Sequence, residues 1–410
     1  MLESGALRYT GGDGSTDRGF TLVNGGPTRT VEVGNAAADI VFSGLVTSPD
    51  DAGFTKTGAG TLTLANGGND YAGLTTVSNG TLAVSTLADG GMVSSIGKSS
   101  SDAASLVLSG GTLDYLGVTA SSDRGFTLAD GGGIGVSDVD AVLTLSGTAI
   151  GTGGLRKEGA GTLVLTGTNT YAGGNEVNAG ILRAGSNQAL GSGMMTVANG
   201  AMLELAGYDV TVGGLLGDGT VDLGGNTLTS NGLSSNSFTG KITGTGGFTR
   251  SGAWTQTISG CTNDYTGKTT ITGSGNLSVD CLADGGVASG IGASSNASAN
   301  LVLASGVLIY TGISDVTDRG FTLQSGAGAI DVDNAGTTLE FTGQVVGGGT
   351  LQKRGAGTLV LSGNNTYSGN TEVSAGILRA GSAQAFGTGA ERSEERRVGK
   401  ECRSRWSPYH

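Results

Sequence analysis

One stretch recurs four times along this chain, and it restricts the fold more than any other feature. Lys157 to Ala184 reads Lys-Glu-Gly-Ala-Gly-Thr-Leu-Val-Leu-Thr-Gly-Thr-Asn-Thr-Tyr-Ala-Gly-Gly-Asn-Glu-Val-Asn-Ala-Gly-Ile-Leu-Arg-Ala. Lys353 to Ala380 repeats it almost letter for letter, Lys56 to Val84 is a looser copy, and Arg250 to Val279 has drifted most. Their aligned tyrosines are Tyr71, Tyr171, Tyr265 and Tyr367. A chain built from such units buries its apolar surface by stacking each unit on the next, because no unit can do so alone.

Within one copy, short β-type runs alternate with turn residues. Thr162–Leu165 is apolar and β-branched, Thr168 to Gly174 is a turn, Glu176-Val177 opens a second strand, Asn178-Ala179-Gly180 turns the chain, and Ile181–Ala184 is a third strand. Gly and Asn bound these runs, as strand grammar requires. The spacing carries the architecture. Leu163 to Leu182 is 19 positions, Leu359 to Leu378 is 19, and Leu62 to Leu82 is 20, with no helix-length amphipathic run between them. A coil advancing one rung per ~20 residues stacks such leucines one strand spacing, ~4.8 Å, apart. The reading is an all-β parallel β-solenoid of roughly 20 rungs at that repeat length.

The repeat resembles the passenger-associated repeat of bacterial autotransporters, the type V secreted surface proteins. The residues that carry the resemblance are Lys157, Gly159, Gly161-Thr162-Leu163, Leu165, Gly167, Asn169-Thr170-Tyr171, Gly173 and Gly180-Ile181-Leu182. The third copy departs, with Trp254 at the place of Gly161 and Cys261 at that of Gly167. The resemblance implies a right-handed parallel β-helix, exported through the outer membrane of a Gram-negative bacterium to the cell surface. It also implies a C-terminal outer-membrane β-barrel, whose aromatic girdles and ~10-residue alternating strands this chain does not contain.

Composition sets limits on partners. Of 410 residues 81 are glycine, only 14% are charged, and the net charge is −12. An acidic chain without basic clusters excludes nucleic acid as a partner, since phosphate neutralisation needs Lys and Arg. No apolar run approaches the ~18 residues of a transmembrane helix.

Taken in order, residues 2 to 22 align without a gap to residues 303 to 323, so the chain opens inside a repeat, without a secretory leader. A larger unit is visible as well. Leu87-Ala88-Asp89-Gly90-Gly91 recurs at Leu282 to Gly286, and Asp123-Arg124-Gly125-Phe126 recurs at Asp318 to Phe321, both at an offset of 195. The expected organisation is one β-helix over residues 1–391, with short-repeat copies near 53–84, 154–184, 247–279 and 349–380. From Arg392 to His410 the sequence shares nothing with what precedes it. It resembles a common short-read sequencing adapter translated in frame and is read as a non-native or disordered tail at 392–410, with a natural basic tail as the alternative.

Chemistry is sparse. The only histidine is His410, so the solenoid lacks the imidazole that Ser-His-Asp and Cys-His catalysis need, and the usual zinc sites with it. No catalytic residue, metal ligand or cofactor is expected. Asp-Arg-Gly-Phe, at Asp17, Asp123 and Asp318, reads as an Asp–Arg pair at a corner with Phe entering the core. Asn69, Asn169, Asn263 and Asn365, each two residues before the repeat tyrosine, read as turn residues satisfying local backbone groups, with a glycan-binding face as the other reading. Asp13 with Asp17, and Asp218 with Asp222, are near-misses of a calcium repeat, and Asp331 with Asp333 lacks the convergent Lys or Arg of a polysaccharide-lyase cleft. Cys261 and Cys281 are 20 apart, one expected rung, which places their Cα atoms about 5 Å apart; an inter-rung disulfide and two buried thiols both fit.

The function that follows is a structural stalk or adhesin acting in cell-surface adhesion or aggregation. Its partners would be host-cell or bacterial surface glycans or proteins. A polysaccharide-active β-helix enzyme, or a surface-layer protein without a barrel, is the alternative.

Overall fold

Alternation of side chains along short strands, broken every few residues by glycine, leaves parallel stacking as the way to satisfy the backbone. A computed structural model describes residues 1–25, 29–232 and 234–389, and the backbone of 391–393. The expected tail at 392–410 lies outside the described residues apart from the backbone of its first two. The chain folds as a parallel β-solenoid of about 18 turns, slightly fewer than the expected rung count. Two 3₁₀ turns, Ala103–Ser105 and Ser298–Asn300, are its described helical segments. By internal contacts it divides into two compact units, Met1–Asp222 and Leu223 onward.

The first unit contains the stacking that the leucine spacing predicts. Leu163 pairs in register with Leu143 before it and Leu182 after it, and Leu182 with Leu203. Leu62 pairs with Leu82. A second face carries the column Leu62, Leu82, Leu113 and Ile134. Edge-to-face aromatic contacts join Phe54 to Phe20 and Tyr71, with ring centroids 6.4 and 5.7 Å apart. The second unit repeats the scheme: Leu339, Leu359 and Leu378 stack in register, and Phe321 packs edge-on to Phe341 at 5.1 Å.

The corners require glycine for two separate reasons. Gly159 and Gly180 adopt φ of +73° and +62°, a left-handed backbone that side chains resist. At Gly161 the obstacle is proximity, since a Cβ there would lie 2.2 Å from the Asp138 carbonyl oxygen of the preceding turn.

The apolar columns hold an unexpected member. Lys157 sits between Ile134 and Val177, Lys56 between Val31 and Val77, and Lys353 between Ile330 and Val373, all three fully buried. The Lys157 ammonium donates to the carbonyls of Glu158 (2.8 Å), Gly159 (2.7 Å) and Ala179 (3.0 Å). Lys56 does the same to Thr57, Gly58 and Asn79, and Lys353 to Arg354, Gly355 and Ala375. Each ammonium therefore gathers two carbonyls of its own turn and one of the next. In the drifted copy Arg250 takes the place, donating to Ser230, Ser251, Trp254 and Asn276 carbonyls.

Burial pushes the three lysines down to about 8, with Glu158 and Asp114 opposing it at Lys157 and Asp331 opposing it at Lys353. An unfolded lysine titrates near ~10.4. Between about pH 8 and about pH 10.4 the unfolded chain therefore holds more protons than the folded one, and stability rises with pH. Burial pushes Tyr71, Tyr171 and Tyr265 up, so above their unfolded value, ~10, the folded chain holds the extra protons and stability falls. The expected melting temperature climbs from pH 7 to about pH 10 and then drops. Calorimetry across that range checks it; a profile that falls steadily from pH 7 would contradict the buried ammonium groups.

Candidate functional site

Asn169 reaches across three turns. Its side-chain oxygen accepts the N–H of Ala149, 20 residues earlier (2.7 Å), and its amide nitrogen donates to the Ala189 carbonyl, 20 residues later (2.6 Å). Asn69 brackets Val46 and Ser95 in the same way, and Asn365 brackets Val345 and Ala385. These asparagines are buried. The local turn bond read from the sequence is replaced by a staple between turns, and a buried amide cannot face a glycan. In the drifted copy Asn263 accepts from Ile242 N, but its amide nitrogen has no partner. The neighbouring tyrosines are equally internal: Tyr171 donates to Asn175 (2.5 Å), and Tyr71, Tyr265 and Tyr367 bond Thr75, Thr269 and Thr371.

The Asp-Arg-Gly-Phe motif also departs from its expected role. Phe126 and Phe321 enter the core. Arg124, however, does not hydrogen-bond Asp123. Its buried guanidinium donates to the carbonyls of Ala88 (2.9 Å), Asp89, Met92 and Gly97 (2.9 Å) and to the Ser99 hydroxyl (2.6 Å). Asp123 instead accepts from Gly90 N, while Asp89 accepts from Asp123 N. Arg319 repeats this on Ala283, Asp284, Val287, Gly292 and Ser294. The two motifs that recur at an offset of 195 are thus two halves of one device, a loop and the arginine that fastens it. In the first copy Arg18 is exposed. Burial lowers the pKa of Arg124 and Arg319, with nearby Tyr71 and Tyr265, then the aspartates, opposing.

Aspartates singled out in the sequence do not assemble a centre. Asp13 accepts from Asp39 N, and Asp17 is exposed. Asp331 is the exception to the sequence reading. Strand register places it opposite Arg354, and its carboxyl is pushed up by burial and then by Asp333, against Lys353 and Arg354. Basic groups do converge on it, but Lys353 is engaged by carbonyls. Cys261 and Cys281 occupy adjacent turns of the second unit with Cα atoms 5.5 Å apart and sulfurs joined. Trp254, 54% exposed, lies in the same drifted copy.

Recurrent polar residues are therefore turned inward and used as clamps. The repeated stretches that carry most of them match a known family: the passenger-associated-transport-repeat model fits residues 54–84, 155–184, 248–279 and 351–380. The adhesin BmaC autotransporter of Brucella suis biovar 1 (strain 1330) is 69% identical over 392 residues, which is 95% of this chain and 12% of that protein. The chain is a stretch of autotransporter passenger. As such it is exported through the outer membrane of a Gram-negative bacterium and exposed at its surface. It spans about 12% of the length of the curated relative it matches. No solved structure matches it.

Two outcomes are expected from these clamps. R124M should leave the solenoid folded but open the loop after Leu87, so that trypsin cuts at Lys98 at least tenfold faster than in the unaltered protein; equal cleavage would show that the arginine does not hold the loop. We propose that the Cys261–Cys281 bridge forms on export, where conditions are oxidising. Closing a loop of 20 residues would stabilise the fold by about 3 kcal/mol. Peptide mapping without reductant should recover the two cysteines in one cross-linked fragment, and separate peptides would exclude the bridge.

Proposed function

We propose that this passenger segment is part of the adhesive scaffold of a surface protein, acting by binding and not by catalysis. The observation that carries the reading is the inward use of its polar motifs: the lysines, arginines and asparagines that recur are consumed by carbonyls and amides of the solenoid. Among charged side chains such as Arg156, Glu158, Glu176 and Arg183, the strands also turn rows of threonine outward. On one face Thr30, Thr55 and Thr76 stand in register on successive strands. On the second unit Thr229, Thr249 and Thr270 do the same. Regularly spaced neutral contacts suit weak, multivalent attachment, in which many small affinities combine. The similarity to a protein named as an adhesin supports the same reading.

The partners of this reading are glycans or proteins of host or bacterial surfaces. The whole protein would be anchored by a C-terminal outer-membrane β-barrel. A non-adherent Gram-negative host displaying the full-length protein should attach to epithelial monolayers several-fold more than the same host displaying a version lacking residues 1–391. Equal attachment would remove this segment from adhesion. Turnover of polyuronate by the purified chain, without binding to cells, would instead favour a polysaccharide-active enzyme.

A further inference from the structure

One corner of the first unit holds an open groove. On four successive turns, residues 130–131, 154–156, 174–176, and 194 with 196 line a groove of about 400 Å³, within the ~300–1,000 Å³ range of small-ligand sites. At ~4.8 Å per turn the four levels span about 14 Å. The levels contribute Asp130, Arg156, Glu176 and Thr196 in order, the third adding Asn175, whose amide is held inside by Tyr171 and the Leu190 carbonyl.

The floor is main chain. Gly154 and Gly174 lie so close to the following turn that a Cβ would meet the Gly174 and Met194 carbonyls at 2.4 and 2.8 Å. Those carbonyls are used within the ladder, accepting from Leu155 and Asn175. The amide N–H groups of Gly154, Gly174 and Met194, among the described residues, donate to no protein acceptor.

The second unit carries different residues at the same corner. Thr350 and Asn370 occupy the places of Gly154 and Gly174, and Gln352 occupies that of Arg156. Gln352 donates to Glu372 at 2.9 Å, drawing the two turns together. Arg156 and Glu176 make no such bond; Arg156 reaches the Gly110 carbonyl at 3.0 Å and lies 3.9 Å from Glu158. The two copies of the duplicated unit therefore present different side chains at this corner.

We propose that this groove binds a neutral, hydroxyl-rich saccharide segment and supplies a receptor contact for the adhesive function, on which reading the inference rests. A sugar chain offers closely spaced hydroxyls that both donate and accept. Glu176 accepts from hydroxyls, as does the Asp130 oxygen not taken by the Ser109 hydroxyl, while Arg156 donates to hydroxyl and ring oxygens. Two carboxylates against one guanidinium disfavour an acidic glycan, and the polar floor disfavours an apolar ligand.

The test is an array of immobilised neutral oligosaccharides (glucans, galactans and chito-oligosaccharides) beside sialylated and sulfated ones, probed with the full chain, followed by calorimetry with whichever neutral sugar is retained. R156Q installs the residue that the second unit tolerates and should close the groove, weakening binding at least tenfold with unchanged circular dichroism. G154T/R156Q/G174N should abolish it, and K268Q, at an exposed site in the other unit, should leave it intact. Retention of acidic sugars alone, retention of none, or unaltered binding by R156Q would each overturn the proposal. Attachment assays with full-length R156Q separate the two readings. Attachment that persists after saccharide binding is lost overturns the groove as a receptor contact and leaves adhesion standing. A full-length protein that never attaches sinks the adhesive reading, whatever calorimetry reports.

Discussion

A solenoid satisfies its strands easily and its corners with difficulty. Along a parallel ladder each N–H and carbonyl finds a partner one turn away, but where the chain bends, carbonyls turn inward and away from the ladder, and a buried unpaired carbonyl is costly. Much of the distinctive sequence of this protein answers that constraint. Lys157 collects three such carbonyls with one ammonium, Arg124 five acceptors with one guanidinium, and Asn169 an N–H and a carbonyl on opposite sides of its own turn.

The lysine case shows how far the constraint reaches. An unpaired ammonium in an apolar column is unfavourable, and burial lowers its pKa accordingly. Three convergent carbonyls offset that loss by holding the charged form. Arg250 in the drifted copy engages four carbonyls from a larger, always charged head. The same copy leaves the Asn263 amide unpartnered and carries Cys261, bridged to Cys281 one turn on, so three departures from the repeat fall within two adjacent turns.

What was legible in the sequence was the stacking. Leu163 over Leu182 follows from spacing alone, because apolar side chains on one face must coincide when turns have equal length. The clamps were not legible. Asn169 looked like a turn residue because its partners lie 20 residues away on both sides, and Arg124 looked like half of an ion pair because its acceptors lie 25 to 36 residues upstream. Asp331 beside Arg354 needed the register between their strands. The polar partners in a solenoid are set by turn length, and each inserted loop changes it. The coupling of Asp123-Arg124 to Leu87-Ala88-Asp89 left one trace in the sequence, their shared offset of 195, which duplicates both or neither.

The arginine latch gives the chain a direction. The loop that begins at Leu87 precedes Arg124, and Ser122, which also bonds Ala88, ends the strand two residues before the latch. A chain assembling from its N-terminal end must carry this loop unfastened until the next turn is laid down. A chain assembling from its C-terminal end meets the loop with the arginine already seated, so the loop closes on a finished template. The same contacts therefore make an exposed intermediate in one order of assembly and a guided one in the other.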